Sequence, residues 1–162
     1  MTYITRVFIH GLDSSSKGTK GSYFRKRYPG MIMEDYAGSL EERMEKLNAD
    51  LAGKKNLILV GSSYGGLMAA MFACSQEPLV RRLILLAPAL IHGDFSASFG
   101  RPVRIPVVLY HGRLDDVVQP DPTLHIAERL FSRLDHHLVE DDHNLHRIFP
   151  LLDWNALLEI EG

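Results

Sequence analysis

Short apolar runs alternate along the chain with segments of helical spacing. Runs rich in β-branched residues or leucine occupy 3–9, 31–33, 56–60, 83–87, 107–110 and 137–139, and helical patterns separate most of them. The clearest helix is "SLEERMEKLNADLAG". Ser39 and Glu42 have the spacing of a capping box, Leu40, Met44, Leu47 and Leu51 recur on one face, and Gly53 follows the end. In "DPTLHIAERLF" the pattern predicts Asp121 as N-cap with Pro122 at the first helical position, and a last helix falls within 144–160, broken or restarted at Pro150. The runs NLILV, LILLA and VVLY are apolar at consecutive positions, so both their faces need cover. The pattern therefore predicts an α/β fold, a mostly parallel doubly wound sheet of about six strands with helices on both faces. With no repeat, linker or low-complexity segment, 1–162 reads as one domain.

One junction in this pattern needs its own explanation. In "NLILVGSSYGGLMAAMFA" a buried strand passes into an apolar helix through Gly61-Ser62-Ser63-Tyr64-Gly65. Gly-x-Ser-x-Gly between strand and helix describes a nucleophile elbow, in which the central residue, Ser63, takes a strained conformation with its hydroxyl exposed above the sheet. Glycines at 61 and 65 let strand and helix approach. The helix aims its first amides and its positive end at the same point, and the Tyr64 N–H becomes the natural donor to an oxyanion. The competing reading is a glycine-rich turn that binds a phosphate. The other glycine-rich loop, "HGLDSSSKGTKG", matches neither nucleotide fingerprint.

A serine hydroxyl attacks poorly unless a base takes its proton and a third group orients the base. "VVLYHGRLDDVV" places Asp115 just beyond one strand, with Asp116 adjoining it as a rival, and "HHLVEDDHNLH" places His143 just beyond the last strand, with His146 one turn on. Ser63, Asp115 and His143 all fall at strand C-terminal ends, on one rim of a parallel sheet. His10 and His111 precede glycines in tight loops and read as structural, whereas His92, His125, His136 and His137 read as surface residues. Lys17, Lys20 and the basic run at Arg25 read as a solvated face near a potential acidic substrate.

These motifs together resemble the α/β-hydrolase superfamily, and in their compactness the small single-domain bacterial esterases of the YqiA-like group. His10-Gly11 is similar to the family's oxyanion-loop dipeptide, Gly-Ser-Ser-Tyr-Gly to its elbow, His-Gly-Arg-Leu-Asp-Asp-Val-Val to its acid loop and Asp-His-Asn-Leu to its histidine loop. The resemblance implies Ser63 as nucleophile, His143 as base and Asp115, three residues after the glycine, as acid. It implies the Leu12 N–H as the second oxyanion donor beside Tyr64. Against the family pattern the chain begins at the third strand, and the segment 90–104, where larger members insert a lid, is short. Leu90, Ile91, Phe95 and Phe99 are then expected to form a shallow apolar wall, or else to pack against the sheet.

Composition removes several other functions. A net charge of −2 gives no basic footprint for nucleic acid and no polybasic stretch for a membrane surface, and no apolar run approaches the ~20 residues that span a bilayer. The lone Cys74 cannot form an internal disulfide, and a cytoplasmic protein is the expectation. The expected activity is hydrolysis of a small-molecule carboxylic ester or thioester, short in its acyl chain, through an acyl-enzyme and without cofactor or metal. Two alternatives stand beside it: a metal-dependent hydrolase using the His/Asp-rich segment 136–146, and a binding module that keeps the fold without the chemistry.

Overall fold

The computed structural model describes residues 3–161. Six strands, β1 (Thr5–Ile9), β2 (Ile32–Met33), β3 (Leu57–Ser62), β4 (Val80–Leu86), β5 (Val107–Gly112) and β6 (Leu134–Val139), form one sheet in the order β2-β1-β3-β4-β5-β6. Every pairing is parallel, as consecutive apolar positions require. The chain runs outward from β1 to β2 and returns to β3, so the strand order reverses between β1 and β3. Crevices at such reversals, outside the strand C-termini, are where open α/β sheets bind ligands.

Helices cover both faces. Leu57 and Leu59 of β3 pack into one cluster with α2 (Leu40–Asp50), α3 (Tyr64–Ser75) and α4 (Pro120–Leu130). Ile58 and Val60, pointing the other way, pack into a second cluster with Phe24 of α1 (Thr19–Arg27) and Trp154 of α5 (Trp154–Leu157). The α3 helix is apolar around its whole circumference and is almost entirely buried. The predicted capping box on α2 is formed: Ser39 Oγ accepts the Glu42 N–H at 3.1 Å, and the Ser39 N–H donates back to the Glu42 carboxylate at 3.3 Å.

Two local expectations need correction. The α4 helix begins at Pro120 with Gln119 as N-cap, rather than at Pro122 after Asp121. Pro120 fixes its own φ for a first helical position and pushes Gln119 into the extended region, which leaves Asp121 inside the first turn. The α1 helix lies where the sequence showed only a glycine-rich loop and a basic run. Gly21 interrupts its helical pattern because a Cβ there would strike the Ser16 carbonyl. No helix among the described residues is long and apolar enough to cross a membrane.

Phe24 anchors α1 to the sheet, with ring centroids 5.1 Å from Phe8, 5.5 Å from Phe149 and 4.8 Å from Trp154. The ring is wholly buried. Phe24→Ala should therefore cost about 3–5 kcal/mol of stability, read as the shift of the urea unfolding midpoint at unchanged slope.

Candidate active site

The site is assembled where β1, β3, β5 and β6 end. Ser63 follows β3 with φ 55° and ψ −115°, a conformation a side-chain-bearing residue rarely adopts. Its backbone is held on both sides: the Ser63 N–H donates to Leu86 O at 2.9 Å, and its carbonyl accepts from Gly66, Leu67 and Ala89. The glycines are needed for approach. A Cβ on Gly65 would strike the carbonyls of Ile9 and His10, one on Gly61 the Gly65 carbonyl, and one on Gly66 would come 2.7 Å from Pro88.

That close packing sets the β1 loop beside the elbow, so that a Cβ on Gly11 would lie 3.4 Å from the Ser63 Cβ. His10 fixes the loop. Its Nε2 accepts the Tyr36 N–H at 2.9 Å, so the proton is on Nδ1, which donates to Gly11 O at 2.6 Å. Gly11 C=O and Leu12 N–H are the two ends of one planar peptide, so pinning the first aims the second. The Tyr64 N–H, at the start of α3, belongs to the amides a helix leaves without an internal partner.

Ser63 Oγ lies 3.0 Å from His143 Nε2, and Asp115 Oδ2 accepts from His143 Nδ1 at 2.7 Å. The buried carboxylate, by accepting the Nδ1–H hydrogen bond, keeps the proton on Nδ1 and leaves the Nε2 lone pair facing the serine. Asp115 Oδ1 is occupied by the N–H groups of Val117 and Val118, at 2.9 and 2.7 Å. Asp116 is exposed and does not line the cleft over Ser63. Of the sequence-predicted residues, Ser63, Asp115 and His143 are thus brought together, with the Leu12 and Tyr64 amides beside them.

Asp141, which sequence reasoning missed, holds the His143 loop in place. Its buried carboxylate accepts from the N–H groups of Asp142, Arg147 and Ile148, and its carbonyl accepts from the Leu114 N–H. The histidine loop is thereby knitted to the acid loop. Gly112 permits the contact, since a Cβ there would collide with the Asp141 carbonyl.

A cleft of about 1040 Å³ opens over Ser63 and His143. One wall is α1, which contributes Thr19, Lys20, Tyr23 and Lys26. Lys20 Nζ donates to Asn144 O at 2.7 Å, and burial pushes its ammonium below the ordinary lysine range, with Asp142 and Asp141 pulling the other way. His92, read as a plain surface residue, and His146 also line the cleft, His146 with its Nδ1 on Asp142 at 2.8 Å. The expected apolar wall from 90–104 is not there. Leu90 and Phe95 are buried in the core, Phe99 packs under the Arg129 guanidinium at 3.7 Å, and Ile91 is exposed. The metal reading finds no support: among the described residues no group of three His, Cys, Asp or Glu is arranged to hold a metal ion, and His137 pairs with Asp135 on β6.

The α/β hydrolase fold family matches residues 10–155. The chain belongs to that family. This α/β hydrolase is similar to solved structures of low identity, which share its fold. Alpha/beta hydrolase domain-containing protein 10 from mouse has a TM-score of 0.73 at 20% identity, over 96% of this chain and 85% of that one. Est1E from Butyrivibrio proteoclasticus has a TM-score of 0.74 at 16% identity, over 96% and 85%. A monoacylglycerol lipase from Paleococcus ferrophilus has a TM-score of 0.68 at 16% identity, over 95% and 93%. No curated sequence matches the chain.

His111, four residues before Asp115 and wholly buried, is held below the ordinary histidine range chiefly by burial. The native ring refuses a proton that the unfolded chain accepts, so the unfolded state binds more protons as pH falls and stability declines. Urea midpoints of the protein should fall from neutral pH down through the ordinary histidine range. His111→Phe should flatten that slope, and a slope equal to the parent's would place its cause elsewhere.

Proposed function

We propose that this α/β hydrolase is a serine esterase or thioesterase, of the YqiA-like kind, acting through Ser63, His143 and Asp115. The observation that carries the reading is the unbroken hydrogen-bonded run from Ser63 Oγ through His143 to Asp115, placed on a strained strand-to-helix turn. The esterase and lipase among the structural neighbours agree with it as fold relatives.

In this mechanism Ser63 Oγ attacks the acyl carbon as His143 Nε2 takes its proton, and a C–O bond forms while the carbonyl becomes an oxyanion. The Leu12 and Tyr64 amides receive that charge. Asp115 keeps the His143 proton on Nδ1 and stabilises the imidazolium. His143 then protonates the leaving alcohol or thiol, the bond to the acyl carbon breaks, and an acyl-enzyme remains. Water, deprotonated by His143, attacks the acyl carbon and releases the acid and free Ser63.

The preferred acyl group is short. The segment 90–104 sends Leu90, Phe95 and Val103 into the core, leaves Ile91 exposed and contributes His92 to the cleft, so no roof encloses a long chain, where each added methylene would bring ~0.8 kcal/mol. Across p-nitrophenyl esters from acetate to palmitate, kcat/KM should fall with length and show no jump at an oil–water interface. A preference for palmitate would overturn this substrate class.

Fluorophosphonate labelling followed by mass spectrometry should place the adduct on Ser63. Ser63→Ala should abolish labelling and lower kcat by about 10⁶-fold, and Asp115→Asn by about 10⁴-fold, the magnitudes such triads show elsewhere. Asp116→Asn should leave turnover within a few-fold of the parent. An adduct at another residue, or Asp116→Asn as the silencing change, would refute the assignment.

A further inference from the structure

Asp115 Oδ2 has a second neighbour besides His143. His111 Nε2, on β5, lies 3.2 Å from Oδ2 and 2.8 Å from Val118 O. Both of those atoms are acceptors, so Nε2 must carry the proton: a bare nitrogen would turn its lone pair against a carbonyl and a carboxylate. That leaves Nδ1 without a proton, buried, and with no hydrogen-bond partner among the described residues. The ring has no exposed surface, and burial keeps it neutral. A phenylalanine or leucine would fill the same space without an unpaired nitrogen, and buried polar atoms left unpaired are destabilising. What the imidazole supplies and an apolar side chain lacks is an N–H at the junction of Val118 and Asp115.

We propose that His111 is a positioning residue for the Asp115 carboxylate. Its Nε2–H ties down the Val118 carbonyl, whose own residue donates its N–H to Asp115 Oδ1, and the edge of the ring lies against Oδ2. Both carboxylate oxygens are then fixed from the β5 side, so Oδ2 meets His143 in one geometry. His111 touches neither Ser63 nor the cleft and acts through Asp115 alone. The inference rests on the triad reading above.

A role in positioning differs from packing in two readouts. The N–H draws negative charge away from Oδ2, so its loss should make Asp115 a stronger partner for charged His143 and move the acidic limb of kcat/KM to higher pH. The groups facing His143 are Asp115 and His111 from the β5 side, Lys20 from α1 through Asn144, and Asp141, Asp142 and His146 on its own loop. All but His111 stay constant in the comparison. A misplaced carboxylate should also lower kcat with little change in KM, by about 10–100-fold for displacements of an ångström or less.

The test uses the full chain with p-nitrophenyl acetate. His111→Phe should lower kcat by that factor and displace the acidic limb upward, and His111→Gln, whose amide carries a donor at similar reach, should recover most of both. Nitrogen-15 NMR of the parent protein, which needs no variant to fold, should show His111 protonated at Nε2 and bare at Nδ1 across the active pH range. The proposal is overturned by a proton on Nδ1, by His111→Phe acting like the parent, or by a fall in kcat that leaves the limb in place and that His111→Gln does not relieve. Fluorophosphonate labelling separates the two levels: an adduct on Ser63 with unaffected His111 variants refutes the positioning role alone, and no adduct on Ser63 refutes the triad beneath it.

Discussion

Everything at this site depends on one residue being held where its backbone does not wish to go. Ser63 occupies a left-handed conformation at the point where a buried strand becomes a buried helix. A turn that tight exists only if nothing projects from its neighbours, which is the reason for Gly61, Gly65 and Gly66. The same absence of side chains lets α3 press against the end of β1, so one steric requirement both exposes the hydroxyl and brings the Leu12 loop to it.

The two remaining groups arrive by a different device. The chain has two His-Gly pairs at the ends of strands, His10-Gly11 and His111-Gly112, and the histidine of each is used alike. The buried histidine bonds a main-chain carbonyl of the loop that follows, Gly11 in one case and Val118 in the other. At Gly112 the glycine lets a second segment come close, since a Cβ there would collide with the Asp141 carbonyl, whereas a Cβ at Gly11 would make only ordinary contact with the elbow. Loops are ordinarily the mobile part of an α/β fold. Here buried side chains tether them, and the cost of burying polar rings is met by hydrogen bonds to backbone groups that would otherwise lack partners.

How much of this can be read in the sequence follows from which interactions are local. The central strands β3, β4 and β5 are legible because their apolar runs are continuous, and Ser63, Asp115 and His143 because parallel strands deliver their following loops to one rim. The choice between Asp115 and Asp116 is visible only in the folded loop, where Asp115 is buried and bonded to the Val117 and Val118 amides while Asp116 is exposed. The α1 wall is hidden because Gly18 and Gly21 answer to Ser14 and Ser16, contacts outside the helix that no periodicity records. Leu90 and Phe95 left two readings open, because an apolar residue in a loop looks the same whether it lines a cleft or plugs the core, and the structure takes the second. Asp141 carries no motif of its own, and the partners of Asp141 and His111 are revealed only by the folded loops.

The sheet order also bears on how the molecule comes together and comes apart. The strained serine belongs to β3, flanked by strands on both sides, whereas His143 hangs from β6, which pairs with β5 alone and exposes much of its outer edge. Edge strands open at lower free energy than central ones. During synthesis the strand that leads into Ser63 emerges long before the His143 loop. A detachment of β6 would carry His143 away from Ser63 while the central strands keep their partners, so that contact and the fold are separable by hydrogen exchange.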